Sequence, residues 1–294
     1  TAAADGSRIA RGPSAPSESD GKDRGEGGEN RMTRARTGVL AALLAVVPAA
    51  LQAQPQEQAG TGFGTPVPVA AEQPAAPPQP TLAELQAWER SWSREERQQV
   101  QRALELLGLY ASGIDGVFGR WTRTGIQAFQ QGLGHDATGY LTRQERVALS
   151  VAAALEAERR ALAAADRARA AAAEPGEVHQ YESGNVYRGD VGRDGYGVYE
   201  WTGGHRYEGA WDDTTRHGDG VLTLANGWRY AGQWRRSIFV GFGTAVGPDG
   251  TRQIGEWHVP QGTQFSAGLN GWGEITAADG SVAGGRFVGS VLVE

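Results

Sequence analysis

Five histidines, His135, His179, His205, His217 and His258, are the first side chains to weigh for metal chemistry in this chain. None stands in His-x-x-x-His or His-Glu-x-x-His spacing, so a zinc site would need ligands converging from distant segments. His217 fills a slot in a repeated pattern, and His135-Asp136 falls in a loop. Cysteine is absent, which excludes disulfides, thiolate zinc sites and cysteine nucleophiles. Gly-x-Ser-x-Gly and Ser-x-x-Lys nucleophile patterns are missing as well. Gly195-Tyr196-Gly197 and its kin are hairpin glycines rather than phosphate cradles, because no helical pattern follows them. The residue types therefore predict no catalytic residue, no metal and no cofactor: the chain reads as a non-enzyme.

Its 294 residues allow two modest domains. Gly, at 44 residues, is about twice its usual share. No strict triplet runs through the chain, which excludes collagen, and 24 aromatic residues need a core, which excludes disorder throughout. A net charge of −6 argues against a chain-wide nucleic-acid surface, so no nucleic-acid partner is expected. Of the 28 basic residues only Lys22 is lysine, which together with abundant Ala and Gly reads as genomic codon bias.

Residues 1–31 carry Gly, Ser and charge without periodicity and are expected to be disordered, belonging to an over-extended gene start. Met32 is followed by Arg34 and Arg36, an apolar run from Gly38 to Leu51, and Leu51-Gln52-Ala53. Basic region, short apolar region and small-residue site predict a secretory signal peptide over 32–53. As a helix that run would span about 21 Å, short of the roughly 30 Å of bilayer hydrocarbon. Membrane contact is thus expected only through this segment, were it retained uncleaved. Residues 54–80 hold seven prolines among Ala, Gly and Gln and read as a linker.

Order begins abruptly at residue 81. Thr81 with Glu84, Ser93 with Glu96 and Thr142 with Glu145 each fit a capping box, in which hydroxyl and carboxylate satisfy the free amides of a helix start. Val100, Ala103, Leu104 and Leu107 keep helical spacing, with Gly108 as the stop. A further helix over about 120–131 presents Ile126 and Phe129 on one face, so 81–150 reads as a compact helical domain. The third capped helix lacks a clear stop before Pro175-Gly176 and would measure about 48 Å. Its distal apolar positions are mostly Ala, a poor packing surface, so 151–175 is read as a helical spacer.

From 177 onward the composition changes: 16 of the aromatics and 25 of the glycines lie here. A pattern Gly-x-x-Tyr-x-Gly-x-Trp starts at Gly184, Gly204, Gly227, Gly250 and Gly280. Gly-x-Gly pairs at 195/197, 218/220, 241/243 and 271/273 lead into a second strand. Asn226-Gly227, Asp249-Gly250 and Asp279-Gly280 are hairpin-turn dipeptides. Each unit is a β-hairpin whose stacking buries what one alone cannot. The predicted fold class is multidomain α plus β: a small three-helix bundle over 81–150, a long Ala-rich helical spacer and an antiparallel β-hairpin meander over 176–294.

Two resemblances follow. Ile114-Asp115-Gly116-Val117-Phe118-Gly119-Arg120-Trp121-Thr122, then Ile126-Gln127-Ala128-Phe129-Gln130 and Thr138-Gly139-Tyr140-Leu141, closely resemble the peptidoglycan-binding-like domain over about 94–150. The resemblance implies a three-helix wall-targeting module with any chemistry elsewhere, and peptidoglycan as partner. For most motif residues a structural role is favoured: Asp115 or Thr122 can cap amides, and Ile126 and Phe129 are core. Ligand contact is expected on the loop rim, at Tyr110, Asp115, Phe118, Arg120 and Trp121, since aromatic platforms and Arg suit a polymer of hydroxyls, amides and carboxylates. The C-terminal pattern resembles MORN repeats (membrane occupation and recognition nexus), best in Tyr207-Glu208-Gly209-Ala210-Trp211 and Tyr230-Ala231-Gly232-Gln233-Trp234. Gln253, Ala283 and Phe287 depart from it. That resemblance implies scaffolding, a protein partner, self-association or lipid contact. Lipid contact fits poorly: residues 177–294 carry nine Arg against 14 Asp plus Glu, with Arg235-Arg236 a local exception.

Together these readings describe an exported, periplasmic or envelope-associated protein that binds peptidoglycan through its helices and holds a β-repeat arm at a distance. Alternatives are a regulatory or assembly module for a wall hydrolase or another envelope protein, and an unrecognised wall hydrolase with a convergent acid pair on the β face.

Overall fold

The computed structural model describes residues 79–174, 178–190, 193–258 and 268–294. The predicted disordered start and signal peptide, most of the linker, and Pro175-Gly176 lie outside the described residues. Among the described residues four helices, α1 (Leu82–Arg90), α2 (Arg94–Leu106), α3 (Arg120–Leu133) and α4 (Arg143–Ala173), precede eleven strands. Capping boxes close α1, α2 and α4 as expected, with Thr81, Ser93 and Thr142 each accepting from the third amide of its helix. Leu107 caps α2 and Gly108 turns the chain at φ +73°. Val100, Ala103, Leu104, Ile126 and Phe129 are wholly buried where these helices meet.

The strands are β1 (Val178–Gln180), β2 (Val186–Gly189), β3 (Arg193–Glu200), β4 (Arg206–Asp212), β5 (Thr215–Thr223), β6 (Arg229–Arg235), β7 (Ile238–Val246), β8 (Arg252–Trp257), β9 (Gly271–Thr276), β10 (Val282–Val288) and β11 (Val291–Leu292). They form one sheet in chain order, each pair antiparallel. All five aligned repeat starts are turn glycines in the left-handed region, at φ between +81° and +87°.

Alternation sorts the strands into two faces. One carries Tyr207, Trp211, Tyr230, Trp234 and Trp257, rings packed mostly edge to face and almost fully buried. Through this face runs an unbroken row of nine paired glycines: 189, 197, 209, 220, 232, 243, 255, 273 and 285. The tyrosine rings lie on that row. A Cβ at Gly197, Gly220 or Gly243 would come within 2.4, 2.3 or 2.6 Å of the hydroxyl of Tyr187, Tyr207 or Tyr230. Trp211, Trp234 and Trp257 donate their indole N–H to the carbonyls of those same three glycines at 3.1, 3.0 and 2.9 Å. The repeat pattern thus encodes a ring resting on bare backbone, with the next indole fixed to that backbone.

The opposite face belongs to α4, and here the expected spacer is corrected. The helix is continuous, as read from its missing stop, but it lies across the sheet from β10 to β2 rather than holding it away. Its alanines are the reason. Ala157, Ala161, Ala164, Ala165 and Ala168 are buried, and Ala161 and Ala165 meet Val221 and Ala231 of β5 and β6. Short side chains let the helix backbone approach the sheet, so an alanine stripe is itself a packing surface. Arginine–carboxylate pairs flank it: Arg146–Glu256, Glu158–Arg252 at 2.9 Å and Arg169–Glu208 at 3.0 Å. No described helix is long and apolar enough to cross a membrane.

Candidate functional site

The loop between α2 and α3 is held from beneath by one buried glutamine. Gln101 donates from Nε2 to Asp115 Oδ1 at 2.8 Å and to the Val117 carbonyl at 3.1 Å, while its Oε1 accepts from Gly116 N–H at 2.8 Å. Asp115 accepts from Val117 N–H at 2.8 Å. Those bonds, the Gln101 amide first and then Val117, hold the Asp115 carboxyl below its ordinary range. Gly116 must be glycine: it sits at φ +75°, and a Cβ would meet Arg94 at 2.7–2.8 Å. Asp115 therefore shapes the loop, the structural role favoured from sequence.

Of the other rim candidates, Trp121 projects outward, 65% exposed, with the Arg120 guanidinium 5.6 Å from its ring centre. Val117 is exposed beside the same loop. Phe118 is half-buried, edge-on to Trp92 at 6.1 Å and beneath Arg123 at 5.4 Å. Tyr110 is not on the rim. It is buried, donates to the Gly113 carbonyl at 2.6 Å and receives Gln101 Nε2 at 3.2 Å, so its expected ligand contact is replaced by a core role. The rim is thus an exposed indole paired with a cation, a surface able to stack on a sugar ring and to meet a carboxylate.

Sequence reasoning missed the side chains that build this arrangement. Gln130 repeats the role of Gln101 one loop later, donating to the Tyr140 carbonyl at 2.9 Å and Glu145 Oε2 at 3.1 Å and accepting from Gly139 N–H at 2.9 Å. The signal was available: both glutamines stand among apolar residues on the buried face of an amphipathic helix. Arg146 and Glu256 had no such signal, since their pairing joins residues 110 positions apart.

Residues 93–149 match the family model for a putative peptidoglycan binding domain, and residues 192–206, 207–229 and 230–252 match the MORN repeat. No curated protein matches the chain significantly. A peptidoglycan-binding module followed by MORN repeats fits a cell-wall-binding role, and both are binding or repeat modules rather than catalytic ones. The peptidoglycan-binding match ends two turns into α4, so the same helix begins in that module and finishes on the MORN sheet. The three MORN matches cover β4 and β6, where Tyr and Trp slots are intact; Gln253, Ala283 and Phe287 lie beyond them, on strands that keep the glycine row.

Two features of the MORN sheet bear on chemistry. Burial raises the Tyr187 hydroxyl to about 12 and pushes Tyr207 and Tyr230 well above the ordinary tyrosine value too, so these phenols stay protonated donors. Burial also raises Asp219 and Glu274, partly opposed by Arg160 and Arg252 respectively. Among the described residues no cluster of three His, Asp or Glu could hold a metal ion.

Proposed function

We propose that this chain is an exported, non-enzymatic envelope protein that binds peptidoglycan through the rim of its helical module and presents the MORN sheet at a fixed orientation to the wall. The match of residues 93–149 to the peptidoglycan-binding family carries the reading. Its rim gives the reading a surface: Arg120 and Trp121 stand exposed on the first turn of α3, just after the loop locked by Gln101. Sugar rings would stack on the indole while acidic groups meet the guanidinium.

Sedimentation with purified sacculi tests this. The chain should pellet, and R120A/W121A should pellet at least tenfold less while keeping its thermal transition; absence of pelleting by the parent chain refutes the proposal. A zymogram on sacculi should show no clearing band, and clearing would restore the hydrolase alternative. The assembly-module reading draws support from the edge of the MORN sheet, where Val288, Val291, Leu292 and Val293 are about half or more exposed. A partner that pairs with that edge would then be placed by the wall-binding module.

A further inference from the structure

A cleft of about 1200 Å³ lies between α2 of the helical module and the β5–β7 strands of the MORN sheet. Neither family match contains it, because it exists only where α4 docks the two modules together. Its charge is opposite to that of the chain. Arg94, Arg102, Arg160, Arg235 and Arg236 line it against Glu95, Glu105 and Asp219, although residues 177–294 are net negative. Arg94 and Arg160 are engaged, donating to the Asp115 and Leu106 carbonyls. Arg102, Arg235 and Arg236 are exposed and make no ion pair among the described residues.

Two polar groups in the cleft wall lack partners. Gln99 is only 7% exposed and its Oε1 accepts nothing, and Nδ1 of His217 is likewise buried and unpaired. Native interiors leave few such atoms, and a ligand or an ordered water is one of the things that completes them. Between β6 and β7 the chain makes a two-residue hairpin turn. Arg236 and Ser237 adopt φ +49° and +65°, a region the repeat-start turns reserve for glycine. That turn keeps Arg235 and Arg236 at the cleft.

We infer that this cleft receives a short acidic peptide, with the exposed Arg102, Arg235 and Arg236 pairing its carboxylates. The inference rests on the wall-binding reading for the peptide's source, the carboxylate-bearing stem of peptidoglycan. A length of peptide suits the cleft better than a sugar because its half-buried apolar wall at Ile238 and Val240 adjoins the cations.

Calorimetric titration of the full chain with a synthetic stem tetrapeptide, free or with its carboxylates amidated, tests it. The comparison variant is R102Q/R235Q/R236N, in which Asn tolerates the left-handed position. The free peptide should bind, and amidation or the triple variant should weaken binding at least tenfold with unchanged circular dichroism. R120A/W121A should bind the peptide normally while losing sacculi. Equal binding of the amidated peptide, indifference to the triple variant, no peptide binding, or capture of anionic phospholipid vesicles alone would overturn the inference. Sacculus pelleting without peptide binding would sink the cleft and leave the wall-binding reading standing. Peptide binding without pelleting would overturn the wall-binding reading and the wall as the peptide's source, leaving the cleft as an acidic-peptide site.

Discussion

Arg146 is wholly buried in α4, its guanidinium 5.9 Å from Trp92 and 5.7 Å from Trp272, with the Glu256 carboxylate as its counter-charge. Ser150 donates to the same carboxylate at 2.9 Å, and the Trp272 amide donates at 3.2 Å. Burial alone would raise the Glu256 carboxyl, but Arg146 and then His258 outweigh it and hold the group at about 2. A depressed carboxyl contributes stability that is whole above its unfolded value near 4.5 and is lost as pH falls toward about 2. E256Q should therefore cost about 3–5 kcal/mol at pH 7, because it strands a buried cation. Denaturant midpoints measured from pH 7 to pH 2 should show the gap between parent and variant closing below pH 4.5; a gap independent of pH would disprove the pairing. Tyr110 and Trp121 make the complementary contrast. Y110A should destabilise by about 3 kcal/mol as a core truncation, whereas W121A should stay within about 0.5 kcal/mol of the parent. Sequence spacing assigned both to one rim because a loop motif names its aromatic residues without saying which way they turn. The Tyr110 hydroxyl finds the Gly113 carbonyl three residues on, and that local bond draws the ring inward.

At the scale of elements the legible part was the part with a period. Turn glycines, alternating rings and Gly-x-Gly pairs recur, so the hairpins and their face could be read from one copy and checked on four more. The capping boxes were legible for a similar reason: both partners lie three residues apart. The glycine row was only half visible, since each glycine was placed within its own repeat and not paired with its neighbours across the strands, beneath the tyrosine rings. G220A should thus cost more than about 2 kcal/mol, by driving a methyl group into the Tyr207 ring 2.3–2.8 Å away. G280A, whose Cβ would meet nothing within 4 Å, should cost only the left-handed backbone penalty of about 1 kcal/mol. Equal losses on thermal denaturation would show that turn preference, not ring packing, fixes the glycines. Glu274 offers the opposite sign. Its side chain is 1% exposed, Oε2 has no partner, and burial raises its carboxyl. A raised carboxyl favours the folded state at low pH, and this advantage disappears as pH rises through the folded value. E274Q should therefore raise the melting temperature at pH 7 and lose that advantage in acid.

For the whole molecule, the decisive element is the one whose packing was not legible. Alanine says little about partners, and a helix of 31 residues rich in it looks like a rod for keeping domains apart. Only the facing strands decide otherwise, because Val198, Val221, Ala231 and Ile254 stand in one row opposite the helix, small enough to meet an alanine stripe. The first turns of α4 belong to the helical core, alongside Ile126 and Phe129, and Phe242, Ile254 and Trp272 of the sheet join that same cluster. Separating the modules would expose the sheet-facing row and leave Arg146 without Glu256, so neither half should unfold alone. Helical ellipticity and tryptophan fluorescence should then melt in one coincident transition. A165R, which places a charged side chain against Val221 and Ala231, should lower both midpoints together by several degrees. Should the fluorescence midpoint fall while the ellipticity midpoint holds, the sheet would be an independently folding arm. The rim at Trp121 and the MORN edge would then be joined by a tether, and the cleft between α2 and β5–β7 would have no fixed shape in which to hold a ligand.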